Sequence, residues 1–247
     1  MAIHSLKDTN KTDLFRVMIY GKPGIGKTSA AKFMKGKTLV IPFDNSEKVL
    51  SGTNIDSEEF DKANPSKELT RLLKELPSEL DGYSNLVLDN VSSLEKSWFI
   101  EQGRNSKSGI RNELQDYSGW TNYFIRVIDA FYKLPVNILV TAWEDQYEVT
   151  SMTGQQFNQY SPQLRASVRS TFMGLTDVVG RMMLNPDTQK RGVILEGNDG
   201  IFAKNRLDSR KASPIETLFD WGESDVPTTP VSNETSGTST RGTQKGQ

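Results

Sequence analysis

The sequence predicts an α/β protein built on a mostly parallel, doubly wound sheet, and three observations carry that prediction. Apolar runs of strand length alternate with helical periodicity from residue 14 to residue 144. The first run leads directly into a glycine-rich octapeptide, GKPGIGKT at 21–28. A later run, NLVLDN at 85–90, carries an acid at its carboxyl end.

The elements follow in order. Residues 14–20 (LFRVMIY) are apolar and β-prone, and TSAAKFMK at 28–35 opens as a helix. Strand, glycine loop and helix are the arrangement a phosphate-binding loop needs. KTLVIPF at 37–43 is a second strand ending at Asp44. PSKELTRLLKEL at 65–76 is a helix with Leu69, Leu72, Leu73 and Leu76 on one face. NLVLDN is the third strand, followed by a helix over 91–102, a flexible loop at 103–109 and a helix over 119–134. VNILVTAWE at 136–144 is the fourth strand. Beyond it the pattern changes. Residues 147–162 read as a hairpin or a long polar loop, and SPQLRASVRSTFMG as a helix capped by Ser161 with Pro162 at its first position. Residues 178–197 read as an antiparallel hairpin turning at Asn185, Pro186 and Asp187, and IFAKNR at 201–206 as a further strand. No internal repeat is visible. These elements assign residues 1–222 to one domain. Residues 223–247 carry only Val226 and Val231 as apolar side chains among Ser, Thr, Gly and Pro, and are expected to form a disordered tail.

The octapeptide matches the phosphate-loop pattern at every fixed position: Gly21, Gly26, Lys27 and Thr28. Glycines let the backbone curl so that successive N–H groups converge on phosphate oxygens. The cradle comprises Gly21, Lys22, Pro23, Gly24, Ile25, Gly26, Lys27, Thr28 and Ser29. Lys27 is positioned to reach the β- and γ-phosphates, and the Thr28 hydroxyl to hold Mg²⁺. The expected ligands are therefore ATP and Mg²⁺. Leu86-Val87-Leu88-Asp89 fits the second nucleotide motif, which places Asp89 at a strand tip near Thr28 as the other magnesium residue.

Composition narrows the alternatives. There is no cysteine, which excludes disulfides and thiolate metal sites and suits a reducing cytoplasm. His4 is the only histidine, so a His-based triad or zinc site is not expected. No run of 18 apolar residues and no signal-peptide pattern occurs, which predicts neither a membrane-spanning nor a secreted chain. The net charge of −1 does not mark a nucleic-acid binder, so any DNA contact needs a local basic stripe.

Further positions are candidates for chemistry. Asn90 stands where many ATPases with an additional strand have a catalytic Glu, so a carboxylate base must come from elsewhere. Glu47 is the first choice and Asp44 close behind, both in FDNSEKVL after the second strand; capping a helix near Ser46 is their alternative role. Thr141, at the tip of the fourth strand with Glu144, is placed to sense the γ-phosphate or position the attacking water. Lys204 and Arg206, in AKNR after the hairpin, resemble the element by which RecA-like oligomeric ATPases reach a neighbour's nucleotide as a finger, with a solvated charged turn as the alternative. Two segments could meet nucleic acid. One holds Arg104, Lys107 and Arg111; the other interleaves Tyr147, Phe157 and Tyr160 with Arg165 and Arg169.

The order of phosphate loop, FDNSEKVL, NLVLDN, ILVTAWE, SPQLRASV, DVVGRMML and AKNR resembles a bacteriophage family of RecA-like P-loop ATPases over residues 12–220. The resemblance implies a RecA-like sheet with antiparallel hairpins in its C-terminal part. It also implies ATP hydrolysis stimulated by single-stranded DNA, during phage recombination, annealing or replication in the host cytoplasm. A homo-oligomer, ring or filament, would use Lys204 and Arg206 in trans, with a single-strand-binding or recombination protein as a further partner. Ser46 intervenes before Glu47, where family members often show an acidic pair. A nucleotide-gated adaptor that binds ATP with little hydrolysis is the alternative from another class. A small-molecule kinase would need an Arg-rich lid, which the later hairpins do not resemble.

Overall fold

The computed structural model describes residues 12–150, 154–186 and 188–222. His4, Asp187 and the expected tail at 223–247 lie outside the described residues. The strands are β1 (Arg16–Gly21), β2 (Thr38–Pro42), β3 (Ile55–Ser57), β4 (Asn85–Asp89), β5 (Asn137–Thr150), β6 (Gln156–Pro162), β7 (Val178–Leu184), β8 (Arg191–Ile194), β9 (Lys204–Asn205) and β10 (Ala212–Pro214). The α-helices are α1 (Pro65–Glu79), α2 (Val91–Asn105), α3 (Leu114–Tyr132) and α4 (Ala166–Leu175).

The sheet runs β10-β8-β7-β1-β5-β4-β2-β3, with β6 paired to β5 and β9 to β7. Its centre is parallel from β7 through β3, and the additions at β6, β8, β9 and β10 are antiparallel. β1 is buried along its whole length, as a strand covered on both faces must be. Alternation then divides its side chains. Met18 and Tyr20 join a core with α1, α2, α3 and α4, whereas Val17 and Ile19 join a second core with Ala30, Ala31, Leu218 and Trp221. Arg16 closes the lower edge. Its guanidinium donates to the carbonyls of Tyr132, Leu134 and Val136, and its backbone N–H donates to Asp177, tying the end of α3 to the feet of β1 and β7.

Several expected boundaries move. The segment after the phosphate loop is a 3₁₀ helix over Thr28–Phe33 rather than an α-helix over 28–35. Its ends close by i→i+3 bonds before Gly36 turns the chain at φ 94°. α3 starts at Leu114, earlier than the apolar periodicity indicates, because Asp116 accepts the Glu113 N–H at 2.7 Å and caps the extra turn. α2 runs to Asn105, into the expected loop. Ser161 and Pro162 do not open a helix. They are the last residues of β6, paired with Asp145 and Glu144, because the long β5 runs beyond the sheet edge and needs an antiparallel partner. α4 begins only at Ala166. The expected strand at 201–206 is reduced to β9, and the three-residue strands β3 and β10 were too short to leave a pattern.

Candidate nucleotide site

The carboxyl ends of β1, β2, β4 and β5 meet around a cavity of about 350 Å³, lined by Gly24, Gly26, Lys27, Thr28, Ser29, Asp44, Ser46, Asp89, Asn90, Trp143 and Arg191 among others. Gly24 and Gly26 stand at φ 75° and 106°, left-handed conformations that only glycine adopts freely, and so give the loop its curl. Lys27 Nζ donates to the carbonyls of Gly21 at 2.8 Å and Lys22 at 2.9 Å. Burial lowers the Lys27 pKa, opposed by the fields of Asp89, Asp44 and Glu144.

Asp89 is the hub. Its Oδ2 accepts from Thr28 Oγ1 at 2.7 Å and from Ser46 Oγ at 2.6 Å, while its Oδ1 accepts from the Thr141 hydroxyl. Thr28 and Ser46 hydroxyls also lie 3.2 Å apart. The fold thus brings together Thr28 from the 3₁₀ helix after β1, Asp89 from β4 and Thr141 from β5. One buried carboxylate ringed by three hydroxyls fits Mg²⁺, which is typically held by one or two carboxylates while phosphates and water complete its shell. A cage of three or more His, Cys, Asp or Glu residues is absent among the described residues.

The two base candidates separate. Asn45 sits at φ 58°, a left-handed conformation that Asn tolerates, and the chain around it splits between two cavities. Asp44 and Ser46 line the phosphate cavity. Asn45 and Glu47 line a neighbouring acidic cavity with Glu58, Asp61, Glu68 and Arg71. Glu47 Oε2 is buried there without a hydrogen-bond partner among the described residues. Asp44 is half-buried, and burial together with the field of Asp89 raises its pKa, partly opposed by Ser46. Asn90 Oδ1 accepts the Ser92 N–H at 2.9 Å and caps α2.

Glu144 is not in the cavity lining. It forms a buried pair with Arg181 of β7 at 2.9 Å, and Arg181 in turn lies over the Tyr160 ring. Lys204 and Arg206 are not brought to the site. β9 pairs with Val178 and Val179 at the foot of β7, and Val179 lies beside Met18. That is three residues below Gly21, about 10 Å along the strand. Lys204 Nζ donates to the Gly174 carbonyl at 3.1 Å, and burial with neighbouring Arg206 lowers its pKa to about 8. Arg206 is exposed.

In the segments considered for nucleic acid, most of the aromatic rings are engaged within the chain. Arg169 lies over Tyr147, whose hydroxyl donates to the Leu164 carbonyl, and Arg165 lies over Phe99 and Tyr117. Arg104 donates to Ala63 and Asn64 at the start of α1, while Lys107 and Arg111 are exposed.

Sequence reading missed Ser46, which stood in view in FDNSEKVL, and Arg191, which has no local signal. No helix among the described residues is long and apolar enough to cross a membrane. A family model described as "AAA domain" matches residues 14–207, spanning the phosphate loop, Asp89, Thr141 and β9. No curated protein matches the sequence.

Proposed function

The chain belongs to this AAA domain family, a family of P-loop ATPases, and on that premise we propose that it binds ATP with Mg²⁺ and hydrolyses it while acting on single-stranded DNA. The setting is recombination, annealing or replication of the RecA-like phage type, with identical subunits assembled in a ring or filament. One observation carries the nucleotide reading: Asp89 gathers Thr28, Ser46 and Thr141 beneath the phosphate loop.

Lys27, held at the mouth of the loop by two carbonyls, transfers its donors to β- and γ-phosphate oxygens. Thr28 and Asp89 would hold Mg²⁺, which when bound neutralises charge on the phosphates. Asp44 is the base, because it is the carboxylate that lines the cavity without being the hub of the hydroxyl cluster. It takes the proton of a water that attacks the γ-phosphorus. The bond to the bridging oxygen breaks, and ADP leaves with that electron pair. Thr141, bonded to Asp89, fixes the position of that carboxylate.

The direct test is ATP turnover by the purified protein with and without single-stranded DNA, beside Lys27→Ala. DNA-stimulated turnover that disappears in the variant is expected. Tight ATP binding without turnover, indifferent to DNA, would replace this reading with the adaptor that binds ATP and recruits a partner. Asn90 favours that second reading, since an amide capping α2 stands where a carboxylate base could follow Asp89.

A further inference from the structure

β7 and β8 extend past the end of β1. Tyr20 registers with Arg181, and a Cβ on Gly21 would meet the Met182 carbonyl at 2.8 Å, so Leu184 lies beyond the last residue of β1. Arg191 pairs with Leu184 at this overhanging tip. Alternation fixes its direction. Val193, two residues on, belongs to the core that contains Ala30 and Ala31, so Arg191 projects on the face that carries the phosphate loop and its 3₁₀ helix.

The contacts agree. Arg191 Nε donates to the Ile25 carbonyl at 2.7 Å, and the side chain lines the phosphate cavity. Glycine at residue 26 lets the side chain lie close against the loop: a Cβ there would stand 2.9 Å from Nε and 3.1 Å from Cδ. With Nε anchored, the two terminal nitrogens have no hydrogen-bond partner among the described residues. A guanidinium held at one nitrogen and free at the other two is prepared to fork onto phosphate oxygens.

We infer that Arg191 is a nucleotide-binding residue that supplies, from the same chain, a second cation to the phosphates cradled by the loop. The inference rests on the ATP-binding reading and adds to it. It places a fixed positive charge on the side of the loop away from Asp89, and it makes part of the phosphate charge balance independent of any neighbour.

The test measures binding of a fluorescent ATP analogue to full-length wild type, Lys27→Ala, Arg191→Gln and Arg191→Lys, at low and high salt. Glutamine keeps an N–H donor for Ile25 but carries no charge. Arg191→Gln is expected to weaken binding about 10- to 100-fold, the usual scale for a charged hydrogen bond, and to flatten its salt dependence. Arg191→Lys should recover part of both. Mixing Arg191→Gln with Lys27→Ala subunits should restore nothing, because the cation acts within its own chain. Wild-type affinity and salt dependence in Arg191→Gln, beside a defective Lys27→Ala, would overturn the inference and leave Arg191 as a brace for the loop. Rescue by mixing would overturn its same-chain form. Failure of the wild type to bind would instead remove the ATP reading, and the inference with it.

Discussion

At the scale of single residues, the candidate site is decided by which way a side chain leaves the backbone. Asp44 and Glu47 were nearly equivalent in the sequence: two carboxylates after an apolar run. The left-handed turn at Asn45 lies between them, and Asp44 lines the cavity of the glycine-rich loop while Glu47 lines the acidic cavity beside Arg71. We therefore expect Asp44→Asn to lower the rate of ATP turnover by about 10²- to 10⁴-fold, the range for loss of a general base, with ATP affinity little changed. Glu47→Gln should be far milder. Burial and then the field of Asp89 raise the Asp44 pKa, so the sign of the pH effect follows. A base works ionised, so turnover falls as acid protonates Asp44, and this limb lies above the ordinary carboxylate range. Steady-state kinetics against pH checks it. An acid limb that persists unchanged in Asp44→Asn would exclude Asp44 as the base.

At the scale of elements, the central strands were legible because burial on both faces writes an uninterrupted apolar run. β1, β2, β4 and the first half of β5 stand where such runs stand. What escaped was pairing. Ser161 followed by Pro162 has the local chemistry of a helix start, yet seven cross-strand pairs to β5 make it a strand end. Arg191 sits in a polar stretch, and only the register with Leu184 lifts it over the phosphate loop. The same tip depends on the pair between Arg181 and Glu144, whose side chains are 9% and 7% exposed. Removing the arginine leaves a buried carboxylate without its cation, which typically costs about 3–5 kcal/mol. Arg181→Met should accordingly lower unfolding stability by about that amount in urea titrations. Adding Glu144→Gln should recover much of the loss. If Arg181→Met alone is neutral, the pair does not hold β7 against β5.

At the scale of the whole molecule, the sheet has two chemically distinct ends. Asp89, Lys27 and Arg191 meet at the carboxyl edge, while Lys204 and Arg206 occupy the foot of β7. A strand cannot bend its foot to its own tip, so any role of these two cations at a nucleotide requires a second copy. This division makes complementation the informative experiment. Lys27→Ala subunits keep their foot cations, and Lys204→Ala/Arg206→Ala subunits keep their phosphate loop. Each preparation alone should be nearly inactive, and a mixture should regain turnover wherever an intact foot meets an intact loop. Activity should also rise with protein concentration in the wild type. Lys204 adds a pH signature with a definite sign. Burial and Arg206 hold its pKa near about 8 in the isolated chain, so its charge is lost as pH rises through that value. A neighbour's phosphate would restore the charge and move the basic limb of turnover above pH 8, and Lys204→Arg would remove the limb. Turnover independent of protein concentration, with no recovery on mixing, would confine the reaction to one chain. Lys27 and Arg191 would then be the cations that serve it.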